Sequence, residues 1–224
     1  HHSATRAALV GGGSGHPTPG EISLAHHGVL FLDELAEFPR AHLDALRQPL
    51  EEGRVLISRQ GVSAVFPSRF QLVGASNPCP CGYFGDRRKP CSCTDGVRTR
   101  YRQRVSGPLL DRFDLSVWVN RVEVADFRED LGESTSVISN RVSGARHVQL
   151  DRHCLNRDLN GDQLDRVAMK TVDSRAIVAS LEKGAITARG AVRVRRVART
   201  IADLSGEPVD ETHISEALTL RGVW

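Results

Sequence analysis

The stretch Val29-Leu30-Phe31-Leu32-Asp33-Glu34 limits the fold more than any other part of this sequence. Four consecutive apolar residues end in two carboxylates, with Gly28 before them and Pro39 soon after. A run this short and this apolar predicts a strand buried on both faces, as in a parallel sheet covered by helices. Asp33 and Glu34 then stand at its carboxyl end, where open α/β sheets place their ligands. Two acids there suit a nucleotide–magnesium site, with Asp33 holding the metal directly or through water and Glu34 polarising an attacking water. They also suit a plain strand-to-helix junction, with Asp33 as N-cap and Glu34 favoured by the helix dipole.

The segments around this strand extend the pattern. Phe70–Ala75 predicts a second buried strand, ending in Ser76-Asn77-Pro78. Asn77 at that end would orient a lytic water or sense a γ-phosphate, although Asn-Pro favours a turn by itself. Pro39–Glu52 predicts a helix with Leu43, Leu46 and Leu50 as its stripe, Gly53 as its stop and a kink near Pro49. Arg54–Ser58 and Val62–Phe66 predict a hairpin about Arg59-Gln60-Gly61, with Arg59 at the tip either solvated or contacting DNA. Gly107–Val119 predicts a short helix and a third apolar strand. Arg112, between Asp111 and Asp114, serves either a structural ion pair or a finger reaching a neighbour's γ-phosphate. Gly11–Gly15, with Pro17 and Pro19 beyond, predicts a flexible loop or hairpin. It is no phosphate loop: Gly-x-x-x-x-Gly-Lys-Ser/Thr is absent, and no lysine precedes Lys89. His26 and His27 lack ligand spacing and read as structural.

With 224 residues, 40% of them hydrophobic and 25% charged, the chain suits one large or two small soluble domains. It has no apolar stretch of membrane-spanning length and no signal peptide. A net charge of +3 says little about partners, so local clustering must carry that argument. The strongest cluster is Arg87, Arg88, Lys89, Arg98, Arg100, Arg102 and Arg104, against Asp86 and Asp95. It is a solvated face, a subunit interface or a nucleic-acid contact, the last making Arg59, Arg98, Arg100 and Arg102 candidate DNA residues. Cys79, Cys81, Cys91 and Cys93 crowd together, while Cys154 stands apart. Two thiol pairs returning on each other predict a structural Zn²⁺ site in a reducing cytoplasm, with reduced pairs or redox disulfides as alternatives. From about Asp126 helices take over: Ser134–Asp151, Gly161–Thr171, Asp173–Lys183, Thr187–Leu204 and Asp210–Arg221. The fourth has Val194, Val197, Ala198, Ile201 and Leu204 on one stripe. Its arginines at 193, 195, 196 and 199 read as a solvated face. Arg189 opposes the dipole of its first turn, a hint of function.

In this order the pieces resemble the ComM/YifB family of magnesium-chelatase-like AAA+ ATPases, related to the chelatase I subunit and to MCM helicases. The resemblance is carried by His1–Thr5, Pro19–Gly28, Val29–Glu34, Leu43–Glu51, Asn77–Tyr83, Ser106–Asp114 and Val197–Leu204. It implies a partial α/β AAA+ core over 1–125, with a parallel sheet, a β-hairpin insertion and the Cys loop at 79–93. An α-helical lid domain over 126–224 would follow. Asp33 and Glu34 match Walker B, Asn77 sensor 1, Arg112 an arginine finger acting across a subunit interface, and Arg189 sensor 2. The implied cofactors are ATP and Mg²⁺, with a zinc knuckle on the four cysteines. The implied whole protein is a cytoplasmic ring ATPase, a hexamer, driving helicase or branch-migration work on single-stranded or branched DNA in recombination or natural transformation. A chelatase motor acting on a tetrapyrrole and a non-enzymatic zinc interaction module are the alternatives. The family's Walker A loop and Lon-like domain lie upstream of the histidine pair and do not occur here. The sequence therefore reads as a fragment, with His1-His2 native, that is not expected to hydrolyse ATP alone.

Overall fold

A computed structural model describes residues 1–13, 16–59, 61–120 and 132–222, with Arg59 described by its backbone alone. It divides the chain into two units, His1–Phe113 and Asp114–Trp224. The domain boundary expected at 125/126 lies outside the described residues.

The first unit is mixed α/β. Helix α1 (Arg6–Val10) starts where Thr5 accepts the Ala8 N–H at 3.1 Å. The glycine-rich run after it forms a short antiparallel pair, β1 (Gly11–Gly12) with β2 (Thr18–Pro19), leading into α2 (Glu21–Leu24). Gly20 makes that crossing possible. A Cβ there would lie 2.3 Å from the Gly11 nitrogen and 2.5 Å from the Leu9 carbonyl oxygen. His26 is structural, its Nδ1 accepting the Arg69 N–H.

Strand β3 (Val29–Leu32) is followed by a 3₁₀ turn, Leu35–Glu37, and then by two helices rather than the predicted one. These are α3 (Arg40–Asp44) and α4 (Arg47–Glu52). Pro49 explains the break: it has no N–H to donate and its ring crowds the carbonyl of Ala45, where the helix stops. The predicted hairpin is β4 (Arg54–Arg59) with β5 (Val62–Pro67), paired from Arg54↔Pro67 to Arg59↔Val62. Strand β6 (Gln71–Gly74) then lies parallel to β3, from Val29↔Gln71 to Leu32↔Gly74. Helices α5 (Asp95–Arg102) and α6 (Gly107–Leu110) complete the unit. Leu30, Leu32, Phe38, Leu43, Val55 and Tyr101 are among its core residues.

Two expectations about the sheet fail. Leu30 and Leu32 are buried, but Val29 and Phe31 are 59% and 57% exposed. Strand β3 is thus packed on one face only, and no described element covers the other. The predicted third strand, Leu115–Val119, joins no sheet among the described residues. It belongs to the second unit, where the Ser116 N–H donates to the Leu220 carbonyl at 2.5 Å and Asp114 pairs with Arg193 at 2.7 Å.

The second unit is helical: α7 (Thr135–Asp151), α8 (Gly161–Val167), α9 (Arg175–Glu182), α10 (Ala188–Ser205) and α11 (Glu211–Thr219). Helix α8 stops short of the predicted Thr171, and a separate turn, Thr171–Asp173, follows. Buried Ser174 then caps α9 by accepting the Ile177 N–H. Ile177, Ala191, Val194, Ala198, Ile214 and Ala217 form a core between α9, α10 and α11. Leu204 leaves the predicted stripe at 40% exposure. Arg195 and Arg199 are buried rather than solvated. Arg195 donates from Nε to the Met169 carbonyl at 2.7 Å and meets Asp165. Arg199 and Arg152 share the carboxylate of Asp203, at 3.0 and 2.6 Å. Each buried charge thus has a partner, as burial requires. No described helix is long and apolar enough to cross a membrane.

Candidate nucleotide site and cysteine cluster

The parallel register sets the geometry of the site. Leu32 pairs with Gly74, so both strands end together and their next residues emerge at one rim. The Ala75 N–H donates to the Leu32 carbonyl at 2.9 Å, and the Leu35 N–H to the Ala75 carbonyl at 2.7 Å. Asp33, Glu34 and Asn77 are thereby brought to the same edge. Asp33 and Asn77 are exposed, and the Glu34 side chain retains 45% of its exposure. Asp33 has no ion-pair partner among the described residues, and its Oδ1 accepts the Glu34 N–H at 2.9 Å. Carboxylate oxygens exposed at such a rim fit a hard divalent cation. Glu34 stands in the left-handed region, φ 53° and ψ 46°, which a side-chain-bearing residue adopts at a cost of order 1–3 kcal/mol. Its Oε2 lies 2.7 Å from His2 Nδ1.

Helix α5 abuts this rim. Its Tyr101 is buried, and burial pushes the phenol above its ordinary pKa. Arg104, just beyond the helix, donates to Glu37 at 2.7 Å and to the Ala36 carbonyl at 3.3 Å.

The four cysteines do converge. Their sulfurs lie within 4.8 Å of one another, with Cys79–Cys81, Cys81–Cys91 and Cys79–Cys91 at 3.4, 3.5 and 3.7 Å. All are free thiols, and those spacings far exceed a disulfide bond. A tetrahedron with Zn–S of about 2.3 Å has edges of about 3.8 Å, so the donor set fits zinc. The Cys81 thiol is drawn down to about 5, chiefly by the Tyr83 backbone N–H. Cys93 moves up to about 11: the Cys81 N–H favours its thiolate, but burial and hydrogen bonds from the neighbouring sulfurs outweigh that. One negative sulfur suppresses the next, and a bound cation would lift that suppression.

Each remaining candidate has a defined setting. Arg98 donates to Cys91 Sγ at 3.9 Å and to the Cys93 carbonyl at 2.7 Å, meets Asp95, and lies 4.7 Å from the Phe84 ring centre. Arg102 lies 5.2 Å over the same ring, and Lys89 lies 4.0 Å over Tyr83. Arg100 is exposed and donates to the Gly96 carbonyl. Arg59 ends β4, and its side chain lies outside the described residues. The side chain of Arg112 is only 8% exposed: it pairs with Glu51 at 2.7 Å and donates to the carbonyls of Arg47 and Pro108. Arg189 sits in the first turn of α10, behind the Thr187 cap, in the second unit.

Comparison with known proteins now decides the family. The family model for magnesium chelatase, subunit ChlI, matches residues 1–127, and that for the ChlI C-terminal region matches 132–221. The chain belongs to the magnesium chelatase ChlI family. Its relatives include the competence protein ComM of Haemophilus influenzae, 43% identical over all of this chain and 44% of that protein. Escherichia coli YifB is 41% identical over the same shares. The magnesium-chelatase 38 kDa subunit of Cereibacter sphaeroides is 28% identical over 90% of this chain and 55% of that protein. The chain thus spans less than half the length of ComM and YifB. ChlI-type chains are AAA+-type ATPase family members, and the mixed α/β unit with a parallel sheet, followed by a helical region, agrees with that fold.

Sequence reasoning missed one contact at this rim. His2 and Glu34 are 32 residues apart, and neither spacing nor composition joins them.

Proposed function

We propose that this chain is part of an ATP-hydrolysing AAA+ ring motor, a hexamer, that moves along single-stranded or branched DNA. One observation carries the ATPase half: Asp33, Glu34 and Asn77 share the carboxyl rim of a parallel β3–β6 pair. Asp33 would hold the metal of a magnesium nucleotide, and Glu34 would accept a proton from the attacking water while Asn77 orients it. Magnesium, when bound, neutralises charge on the β- and γ-phosphate oxygens. Arg112 would serve a neighbouring protomer's γ-phosphate, for which it must exchange its contact with Glu51. Arg189, in the first turn of α10, would take the part of sensor 2. A structural zinc on Cys79, Cys81, Cys91 and Cys93 would fasten the loop that begins two residues after Asn77. The DNA half rests on the cations of that loop and of α5, Arg98, Arg100 and Arg102 among them, together with Arg59 at the end of β4.

The test uses the full-length protein with forked DNA. Glu34→Gln should lower ATP turnover by about 100-fold or more while nucleotide still binds. Combined charge reversal of Arg100 and Arg102 should weaken DNA binding and flatten its salt dependence. Undiminished turnover in Glu34→Gln overturns the role given to Glu34, and a wild type without turnover overturns the ATPase reading. The 28% identity to a chelatase subunit favours a second reading, a motor for metal insertion. Turnover stimulated by a chelatase partner and indifferent to DNA would select it.

A further inference from the structure

We propose that His2 is a positioning residue for Glu34, holding the general-base carboxylate in the orientation that turnover needs. The inference rests on the ATPase reading above and adds a residue to it.

The backbone of Glu34 is fixed on both sides. Its N–H is taken by Asp33 Oδ1 at 2.9 Å, and its carbonyl accepts the Glu37 N–H at 2.7 Å. The left-handed conformation at φ 53° points the side chain away from the path a helical or extended residue would give it. What remains free is the side chain, from χ1 to the broad terminal torsion of the carboxylate, and that last torsion is settled by partners. Among the described residues the partner is His2, whose Nδ1 lies 2.7 Å from Oε2. With Nδ1 carrying the proton, the ring donates to Oε2 and leaves Oε1 to receive a proton from water.

His2 is itself anchored. The Ala4 N–H closes a turn on the His1 carbonyl at 3.0 Å, and Ala4 packs on the same core as Leu32 and Leu35, which flank the acids. The His1 ring lies 4.1 Å from the His2 ring, narrowing its rotamers. A histidine carried by a turn on this core is a firmer holder than a long surface side chain. It orders a base as an oriented third group does in other acid–base sites. The pair is half-exposed, 38% and 45%, so as a mere surface contact it would matter little to folding.

The experiment compares full-length wild type with Glu34→Gln, His2→Ala and His2→Asn. Glu34→Gln is the reference. If it abolishes turnover, the site is as proposed and the His2 variants can be judged. His2→Ala should then lower kcat by about tenfold or more, consistent with a single lost orienting contact. The KM for ATP, the affinity for a non-hydrolysable ATP analogue and the unfolding midpoint should stay near wild type. His2→Asn, which still offers an N–H, should recover part of the loss. Wild-type kcat in His2→Ala, a raised kcat, or parallel loss of kcat and analogue affinity would each overturn the assignment. Full turnover in Glu34→Gln would instead remove Glu34 as the base, and a wild type that hydrolyses no ATP would overturn the ATPase reading itself.

Discussion

Asp210 shows how one carboxylate can organise a helix start. Its Oδ1 accepts the Thr212 hydroxyl at 2.6 Å, the Thr212 and His213 N–H groups at 2.9 and 3.2 Å, and lies 2.6 Å from His213 Nδ1. The Thr212 hydroxyl first, then the His213 N–H, hold the carboxyl well below the usual range. A native value below the unfolded one gives stability that is complete above the ordinary aspartate pKa, about 3.9, and drains away as pH falls toward the native value. Asp210→Ala should therefore unfold at a lower temperature than wild type at pH 7, with the gap narrowing by pH 3. Circular dichroism melts at both pH values check this, and a gap of constant size would speak against it. Residues of this kind were legible, because cap chemistry is local in sequence. The placement of Asp33, Glu34 and Asn77 just beyond the ends of β3 and β6 was legible for the same reason, each following an apolar run. The burial of Arg195 was not, since Asp165 and the Met169 carbonyl come from another element. For Arg199 the clue stood one helical turn away in Asp203, but a periodic stripe scores only apolar positions.

Elements depend on contacts that a one-dimensional pattern can miss. The β4–β5 hairpin and the β3–β6 pairing followed from turn glycine and apolar runs. Helix α5 was overlooked because its charges mask Val97 and Tyr101, spaced one turn apart. The 115–119 run was overread, since alternating apolar residues need a neighbour to become a strand. The joint of α1 and α2 is the tightest case. An alanine Cβ at Gly20 would meet Gly11 N, Leu9 O and Val10 C at 2.3, 2.5 and 2.6 Å, all backbone atoms that cannot swing aside. Gly20→Ala should cost about 1–3 kcal/mol or more. Gly107→Ala, where nothing lies within 4 Å, should be nearly neutral. Denaturant titration of both variants decides it, and equal midpoints would show that the joint yields.

At the scale of the molecule, the two units offer a way to localise zinc. Elemental analysis of purified protein should give about one zinc per chain. Chelation should speed hydrogen exchange across 78–94 while α9–α11 keep their protection, because their core of Ile177, Val194 and Ile214 owes nothing to the thiols. Exchange unchanged by chelation would remove the metal from the account. Fold class was readable here because the apolar runs and the helical half are separated along the chain. The open side of β3 was not, since an unbroken apolar run looks alike whether or not anything lies over it. That side also has a practical consequence. Val29 and Phe31, with Val73 alongside at 37% exposure, present wet hydrocarbon next to a strand edge that no described strand pairs. Concentrated stocks of the isolated polypeptide should turn cloudy well before its helical half melts, and a charged residue in place of Phe31 should keep them clear.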